Sequence, residues 1–382
     1  MVRQCLPEKR RKKFKAMKRR YMTVLLSFLL LLTGCWDQRE LRNIRMVHTA
    51  GVDLLNENKV RLTVSIPTVK TSIEQQGKVI TPKISAEGRS VQEASIQLQK
   101  MVSQHMDLRE TRVLLINKKF AEKSLYEALD FFYREAHFPI SVFIAITDGT
   151  AHDVVQLNVE DRSMISEYLY DLLVSSEQEG FIPKESPFLI SSIMKVSGFD
   201  NVLPFISLRT GKERVKIDGV ALFHEKQMTG KLDDLHARAF VMLATKKSYG
   251  SITEPIGPRD TYVTLSFKRS RHKVELTFPD NKVTADIFLT LDCTLMDNPS
   301  GEPLDKPMID SMSLKLEKLL NDRAEETIRQ LQQANCDGLS IGLQMKARHN
   351  RKWEKLDWNQ EYPKINIKPH IQVKIENHGL LN

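Results

Sequence analysis

The sequence has few of the residue groupings that carry catalysis or metal binding. Its 382 residues include four cysteines, and two of them, Cys5 and Cys35, fall in the first 35 positions. Only Cys293 and Cys336 remain in the body, and no CxxC spacing occurs. Two cysteines alone cannot supply the four ligands of a structural zinc. In an exported chain they read as buried free thiols or as one disulfide. The ten histidines are scattered, none in HxxxH or HExxH spacing, so nothing in the sequence supports a catalytic zinc. A glycine-rich phosphate loop and a GxSxG nucleophile elbow are both missing. Paired carboxylates stand at Asp233-Asp234 and Glu325-Glu326 in polar segments. They read as solvated faces, because acid–base pairs need two contrasting environments. No metal, cofactor or catalytic set is expected.

Long apolar runs are also scarce. The main one, Met22 to Thr33, has 12 residues, too short for the ~20 that a spanning helix needs. It matches the ~7–15 of a signal-peptide core. Lys18, Arg19 and Arg20 precede it, and Leu32-Thr33-Gly34-Cys35 closes it. A basic front, a short apolar core and two small residues before a cysteine form a bacterial lipoprotein signal. Cleavage between Gly34 and Cys35 would free Cys35, whose thiol takes a diacylglycerol. Met17 begins a complete signal by itself, so residues 1–16 read as an upstream misread start.

The charge balance follows from that reading. The chain carries 57 Lys+Arg and 48 Asp+Glu, a net of +9. Residues 1–34 hold ten of the basic side chains and one acidic one, Glu8, which accounts for all of the excess. The remaining 348 residues have 47 of each sign and are neutral. A nucleic-acid partner argued from net charge is therefore excluded.

The body reads as α/β (α+β), multi-domain, with mixed sheets and packed helices. Met46–Leu54 and Val60–Pro67 alternate around the turn Asn56-Glu57-Asn58 and predict paired strands. Ser90 to Met106 has helical spacing, with Ser90 and Glu93 as a capping box. Val113–Ile116 and Val142–Thr147 predict strands, and Leu125–Arg134 and Ile165–Val174 predict helices. A Gly-, Pro- and polar-rich stretch suggests a linker at 201–212, between an N-terminal domain at 35–200 and a C-terminal region at 213–382. That region divides into subdomains at about 213–260 and 261–382. Gly219–His224 and Met228–Lys231 predict a hairpin. Thr261–Lys268, Lys273–Phe278 and Asp286–Met296 predict a meander. A long amphipathic helix, Met308–Asn335, and a final strand, Ile365–Glu376, complete the pattern. The segment Arg351–Trp358 mixes charge with two tryptophans. Trp353 and Trp358 read as a candidate docking patch, or as a cover on the last strand.

Cys35-Trp36-Asp37-Gln38-Arg39-Glu40 resembles the Cys-Trp-Asp-x-Arg-Glu opening of the Ger(x)C (GerAC-type) family, the lipoprotein C subunits of spore germinant receptors. Gly51-Val52-Asp53, Leu62–Pro67, Leu129–Glu135, Gly219–Phe223 with Gly230-Lys231-Leu232, and Arg348–Trp353 with Val373–Leu380 are similar to the same family. A Gly-Glu pair of the family is here Asn117-Lys118. Its Phe-Gly-Phe-Gly character is here Leu339-Ser340-Ile341-Gly342-Leu343. The resemblance implies three α/β domains and a non-enzymatic subunit held by Cys35 in the membrane lipid. It implies a place on the outer face of the inner spore membrane, and action with two membrane partners, the A and B subunits, in nutrient-triggered germination. The alternative from the same lipobox is a solute-binding lipoprotein of a transporter, which would take a small ligand in an interdomain cleft.

Overall fold

Val113–Asn117 carries side chains that are apolar on both sides of the strand, apart from its last residue, and all five are buried. Such a strand belongs in the middle of a sheet covered on both faces. In the computed structural model it is β4 of an eight-stranded sheet. The others are β1 (Thr49–Asn56), β2 (Lys59–Ser65), β3 (Lys83–Gly88), β5 (Phe143–Thr147), β6 (Val202–Leu208), β7 (Val215–His224) and β8 (Gln227–Leu232). The order across the sheet is β8-β7-β6-β5-β4-β1-β2-β3. The central strands β6, β5, β4 and β1 run parallel, while β7–β8 and β2–β3 add antiparallel edges. The structure describes residues 17–22, 44–69, 79–159, 164–184, 197–209, 214–244, 249–299 and 304–377. The chain divides into residues 1–44 and 45–382, and the eight-stranded sheet belongs to the second unit.

Helices α1 (Val91–Gln99), α2 (Lys118–Arg134), α3 (Ala151–Gln156) and α4 (Ile165–Gln178) cover the sheet. The capping box forms: Glu93 N–H donates to Ser90 Oγ at 3.2 Å, and Arg89 N–H donates to Glu93 Oε2 at 2.7 Å. α1 stops at Gln99 rather than at Met106. The Gln99 side chain takes the Met106 N–H and donates to the Gln104 carbonyl, which turns the chain away. α2 begins seven residues before the expected Leu125. Asn117 caps it by accepting Phe120 N–H at 3.1 Å and also holds Leu54 N–H at 3.0 Å. Ser124 is non-helical and starts the second half, its Oγ accepting Glu127 N–H. The expected start therefore matches this inner cap.

The expectation of a linker at 201–212 is corrected. Residues 202–208 form β6, hydrogen-bonded to β5 on one side and β7 on the other. Val202, Leu203, Phe205 and Ile206 are buried and serve both faces of the sheet. Pro204, the breaker signal, sits where the register with β7 shifts, a position where a strand tolerates proline.

After α5 (Asp234–Ala244) comes a second sheet of four strands: β9 (Tyr249–Glu254), β10 (Val263–Thr277), β11 (Thr284–Asp297) and β12 (Asn366–Asn377). They lie in that order, with β9, β10 and β11 antiparallel and β12 parallel to β11. Two expected strands, 261–268 and 273–278, are one 15-residue strand, β10. The polar interruption Arg269-Ser270-Arg271 is a bulge, not a turn. Arg269 is buried there, and its Nη1 donates to Met242 O at 2.9 Å while His272 bonds Leu243 O. Both serve the carbonyl end of α5, where a cation is favoured. The crossover between β11 and β12 is α6 (Lys306–Gln333), capped by Asp305. α6 places Met312, Leu316, Leu320, Ile328 and Leu331 against the sheet. One apolar cluster runs from Leu115 of the first sheet and Leu169 of α4 to Leu289 of the second sheet and Leu316 of α6.

Candidate functional site

Gly34 and Cys35, the expected cleavage and lipidation residues, lie outside the described residues. Trp353 and Trp358 are described, and the structure brings them together: their ring centroids are 5.4 Å apart. Trp358 is buried, with its ring tilted against Tyr362 at 5.9 Å between centroids, while Trp353 is half-buried. Trp358 is therefore corrected as a docking residue, because its indole points inward to a polar partner. What holds it is a carboxylate that the sequence reading did not single out.

That carboxylate is Asp337. After α6 the chain turns through Asn335 (φ 51°) and Ser340 (φ 61°), both left-handed, into α7 (Ile341–Arg348). Ser340 makes no capping hydrogen bond. Asp337 does that work from a distance: Oδ1 accepts Ile341 N–H at 2.9 Å and Oδ2 accepts Gly342 N–H at 2.7 Å. Trp358 Nε1–H donates to the same Oδ2 at 3.0 Å. The Asp337 N–H donates to Asp200 Oδ2 at 2.9 Å, and Asp200 Oδ1 accepts Glu225 N–H at 2.9 Å. Asn359 Nδ2 closes the ring on Glu225 Oε1 at 2.9 Å, and Asn335 Nδ2 donates to Asn359 O. The network ties together the entry to β6, the β7–β8 turn, the end of α6 and the two-tryptophan segment.

Close packing depends on two glycines. A Cβ on Gly342 would stand 2.5 Å from Trp358 Nε1, and one on Gly198 (φ 93°) 2.7 Å from the Trp353 ring. Only glycine fits either position.

Burial, and then the Asp200 carboxylate, push the Asp337 carboxyl up to about 8. The Asp200 carboxylate, whose Oδ2 lies 3.7 Å from His224 Nδ1, raises the His224 imidazole above its usual value. Burial lifts the Cys336 thiol well above its usual range and the Cys293 thiol to about 12. Both thiols are free, so the pair forms no disulfide. Protonated and buried, they are poor nucleophiles. Asp337 is only 1% exposed, so a substrate has no route to it. The arrangement braces a junction. Asp233 and Asp234 bond within α5, to His236 and Arg238, and Glu326 pairs with Arg329. Among the described residues no group of three or more His, Cys, Asp and Glu is placed to hold a metal.

The parts of the tryptophan segment left in solvent are charged: Arg351, Lys352, Glu354 and Lys355 are exposed. Among the described residues, no helix is long and apolar enough to cross a membrane.

Comparison with known proteins gives a consistent result over both halves. A model described as the spore germination protein N-terminal domain matches residues 37–208, and one described as spore germination B3/GerAC like, C-terminal, matches 218–379. The chain is 24% identical over 367 residues to spore germination protein GerQC of Bacillus cereus, covering 95% of this chain and 99% of that protein. It is 22% identical over 372 residues to spore germination protein B3 of Bacillus subtilis (strain 168), covering 94% and 97%. Its fold is similar to that in the crystal structure of the GerBC protein, with a TM-score of 0.54 at 16% identity over 86% of this chain and 97% of that one.

Proposed function

This chain belongs to the GerAC-like family of spore germination proteins, and from that premise we propose that it is a non-enzymatic, lipid-anchored subunit of a nutrient germinant receptor. It acts in spore germination with two membrane subunits, A and B, from the outer face of the inner spore membrane. The observation that carries the reading is continuity. The family match begins at residue 37, two positions after the cysteine that ends the lipoprotein signal. The lipid on Cys35 holds the body at the surface. A diacylglycerol suits this task, because a single acyl chain gives only marginal binding and two give a stable tether. The braced, closed junction around Asp337 supports a scaffold that docks on partners over a catalyst that opens to substrate.

The test replaces Cys35. Spores carrying Cys35→Ala are expected to show no lipid label on the protein, to release it from the membrane fraction, and to respond weakly to the receptor's nutrient. Normal germination with the unlipidated protein still membrane-bound would overturn the reading. A tight amino-acid or sugar ligand found by thermal-shift screening of the purified protein would favour a solute-binding lipoprotein instead.

A further inference from the structure

The second half of the chain carries a run of cations that no described acidic side chain pairs with. Lys346, Arg348, Arg351, Lys352 and Lys355 stand within ten residues, on α7, on the single turn Asn350–Trp353 and just after it, and all five are exposed. None of them forms an ion pair with a described acidic side chain. Elsewhere several surface cations are paired: Lys59 and Arg61 with Glu87, Lys216 and Lys231 with Asp218, Arg323 with Glu254. Within the segment, Glu354 is taken by Asn350 Nδ2 at 2.8 Å, and Asp357 follows at its end.

The fold also fixes where these cations stand. The tip of the β10–β11 hairpin holds Phe278, and three side chains of the segment gather at that tip. Lys352 Nζ lies 3.6 Å from the Phe278 ring centroid, the His349 ring meets the same ring edge-on at 4.8 Å, and Arg348 Nη1 donates to Val274 O at 3.4 Å. A cation over a phenyl ring is held without losing its charge. Arg348 and Lys352 are thus fixed by the hairpin, with Lys346, Arg351 and Lys355 beside them on the same short stretch.

We propose that this face, Lys346 to Lys355 against the Phe278 hairpin tip, docks on an anionic lipid surface. The inference rests on the membrane tether proposed above. A protein-binding face wants desolvated aromatic anchors at its centre, and here Trp358 is turned into the core and Trp353 half-covered. What is left outside is long and solvated, with five cations against Glu354 and Asp357, which suits a layer of phosphate headgroups rather than a shaped pocket. A body neutral overall gains no general attraction to such a layer, so a local cluster must supply it. An acyl anchor and a basic patch together form the two signals of stable peripheral binding.

The experiment compares the purified full-length chain with Lys346→Glu/Arg351→Glu/Lys355→Glu. It leaves Arg348 and Lys352 in place because they touch the hairpin. Flotation is measured with phosphatidylcholine vesicles and with vesicles that also contain phosphatidylglycerol, at low and high salt. The variant is expected to lose affinity for the anionic vesicles by about tenfold or more at low salt. Binding to neutral vesicles, which reads only the N-terminal segment, stays the same in both proteins. A Lys346→Gln/Arg351→Gln/Lys355→Gln variant with unchanged circular dichroism should lose affinity as well, which separates charge from misfolding. Equal affinity of wild type and variants for anionic vesicles overturns the proposal. So does a loss seen only in binding to an acidic protein partner. Absence of lipid at Cys35 in cells would sink the tether while leaving the vesicle comparison unaltered.

Discussion

Asp337 is the residue on which the second half of the chain turns. Its two oxygens serve three donors, Ile341 N–H, Gly342 N–H and Trp358 Nε1–H, in a place closed to water. Asp337→Ala leaves all three buried without an acceptor, and each such orphan costs about 1–3 kcal/mol. A loss of about 3–5 kcal/mol in urea unfolding is expected, which is severe against a typical stability of about 5–15 kcal/mol. The pH dependence has a defined sign. The carboxyl titrates at 3.8 in its ordinary setting and at about 8 in the fold, so unfolding releases its proton between those values. Its contribution is full below pH 3.8 and is lost as pH rises through about 8. Melting of the wild type should therefore fall relative to Asp337→Asn across that window, and a constant difference between the two would contradict it. Gly342→Ala is expected to push Trp358 off the carboxylate and shift its fluorescence to the red. Little of this site was legible in the sequence. A lone aspartate four positions before a helix has no local signature, since its partners Asp200, Gly198 and Trp358 come from distant segments. The tryptophans were visible as an unusual composition, but which way an indole points is a tertiary fact.

At the scale of elements, the free edge of β12 shows how the fold protects itself. Among the described strands β12 pairs with β11 alone, and an open edge invites pairing with another chain. α6 closes it with side chains. Asn321 Oδ1 accepts Ile371 N–H at 3.0 Å while its Nδ2 donates to Ile371 O at 3.1 Å, and Glu317 Oε1 accepts Val373 N–H at 2.8 Å. Two residues before Ile371, Pro369 has no N–H to leave open. Asn321→Ala should cost about 1–3 kcal/mol and speed hydrogen exchange at the Ile371 amide. Asn321→Asp keeps an acceptor for that amide but not the donor to Ile371 O, so its exchange should fall between the two. Unchanged exchange in the alanine variant would mean that the contact does not protect the edge. The elements themselves were mostly readable, because β1, β2, β4, β5, the β7–β8 hairpin, α6 and β12 bury apolar residues at the period of their type. The failures have physical causes. β3 is an edge strand with weak alternation, Lys83-Ile84-Ser85-Ala86-Glu87-Gly88. α7 has no local cap and depends on Asp337. At Arg269 a charge that reads as a break is instead buried as the cap of α5.

At the scale of the molecule, the two family segments do not correspond to two separable bodies. The interval between residues 208 and 218 runs from the end of β6 into the start of β7, and the two strands pair along Val202–Leu208 in one sheet. Leu203 and Phe205 share an apolar cluster with Ala221 and Phe223, while on the other side Val202 and Ile206 join Val220 and Leu222. A cut in that interval would strip β6 of its neighbour and expose both faces. It would also leave the β7–β8 hairpin with no sheet to extend, and an isolated hairpin is marginal in water. It breaks the Asp200–Asp337 link as well, since Asp200 lies on the first side and Asp337 on the second. Chains ending at residue 208 or beginning at residue 218, each expressed alone, are therefore expected to give collapsed amide spectra without dispersion. The intact chain, with Trp36→Phe, should unfold in one cooperative step, with Trp353 and Trp358 fluorescence reporting the second half and far-ultraviolet circular dichroism reporting the whole, at the same midpoint. A fragment that folds alone, or two midpoints that separate, would mean that the shared sheet does not couple the halves.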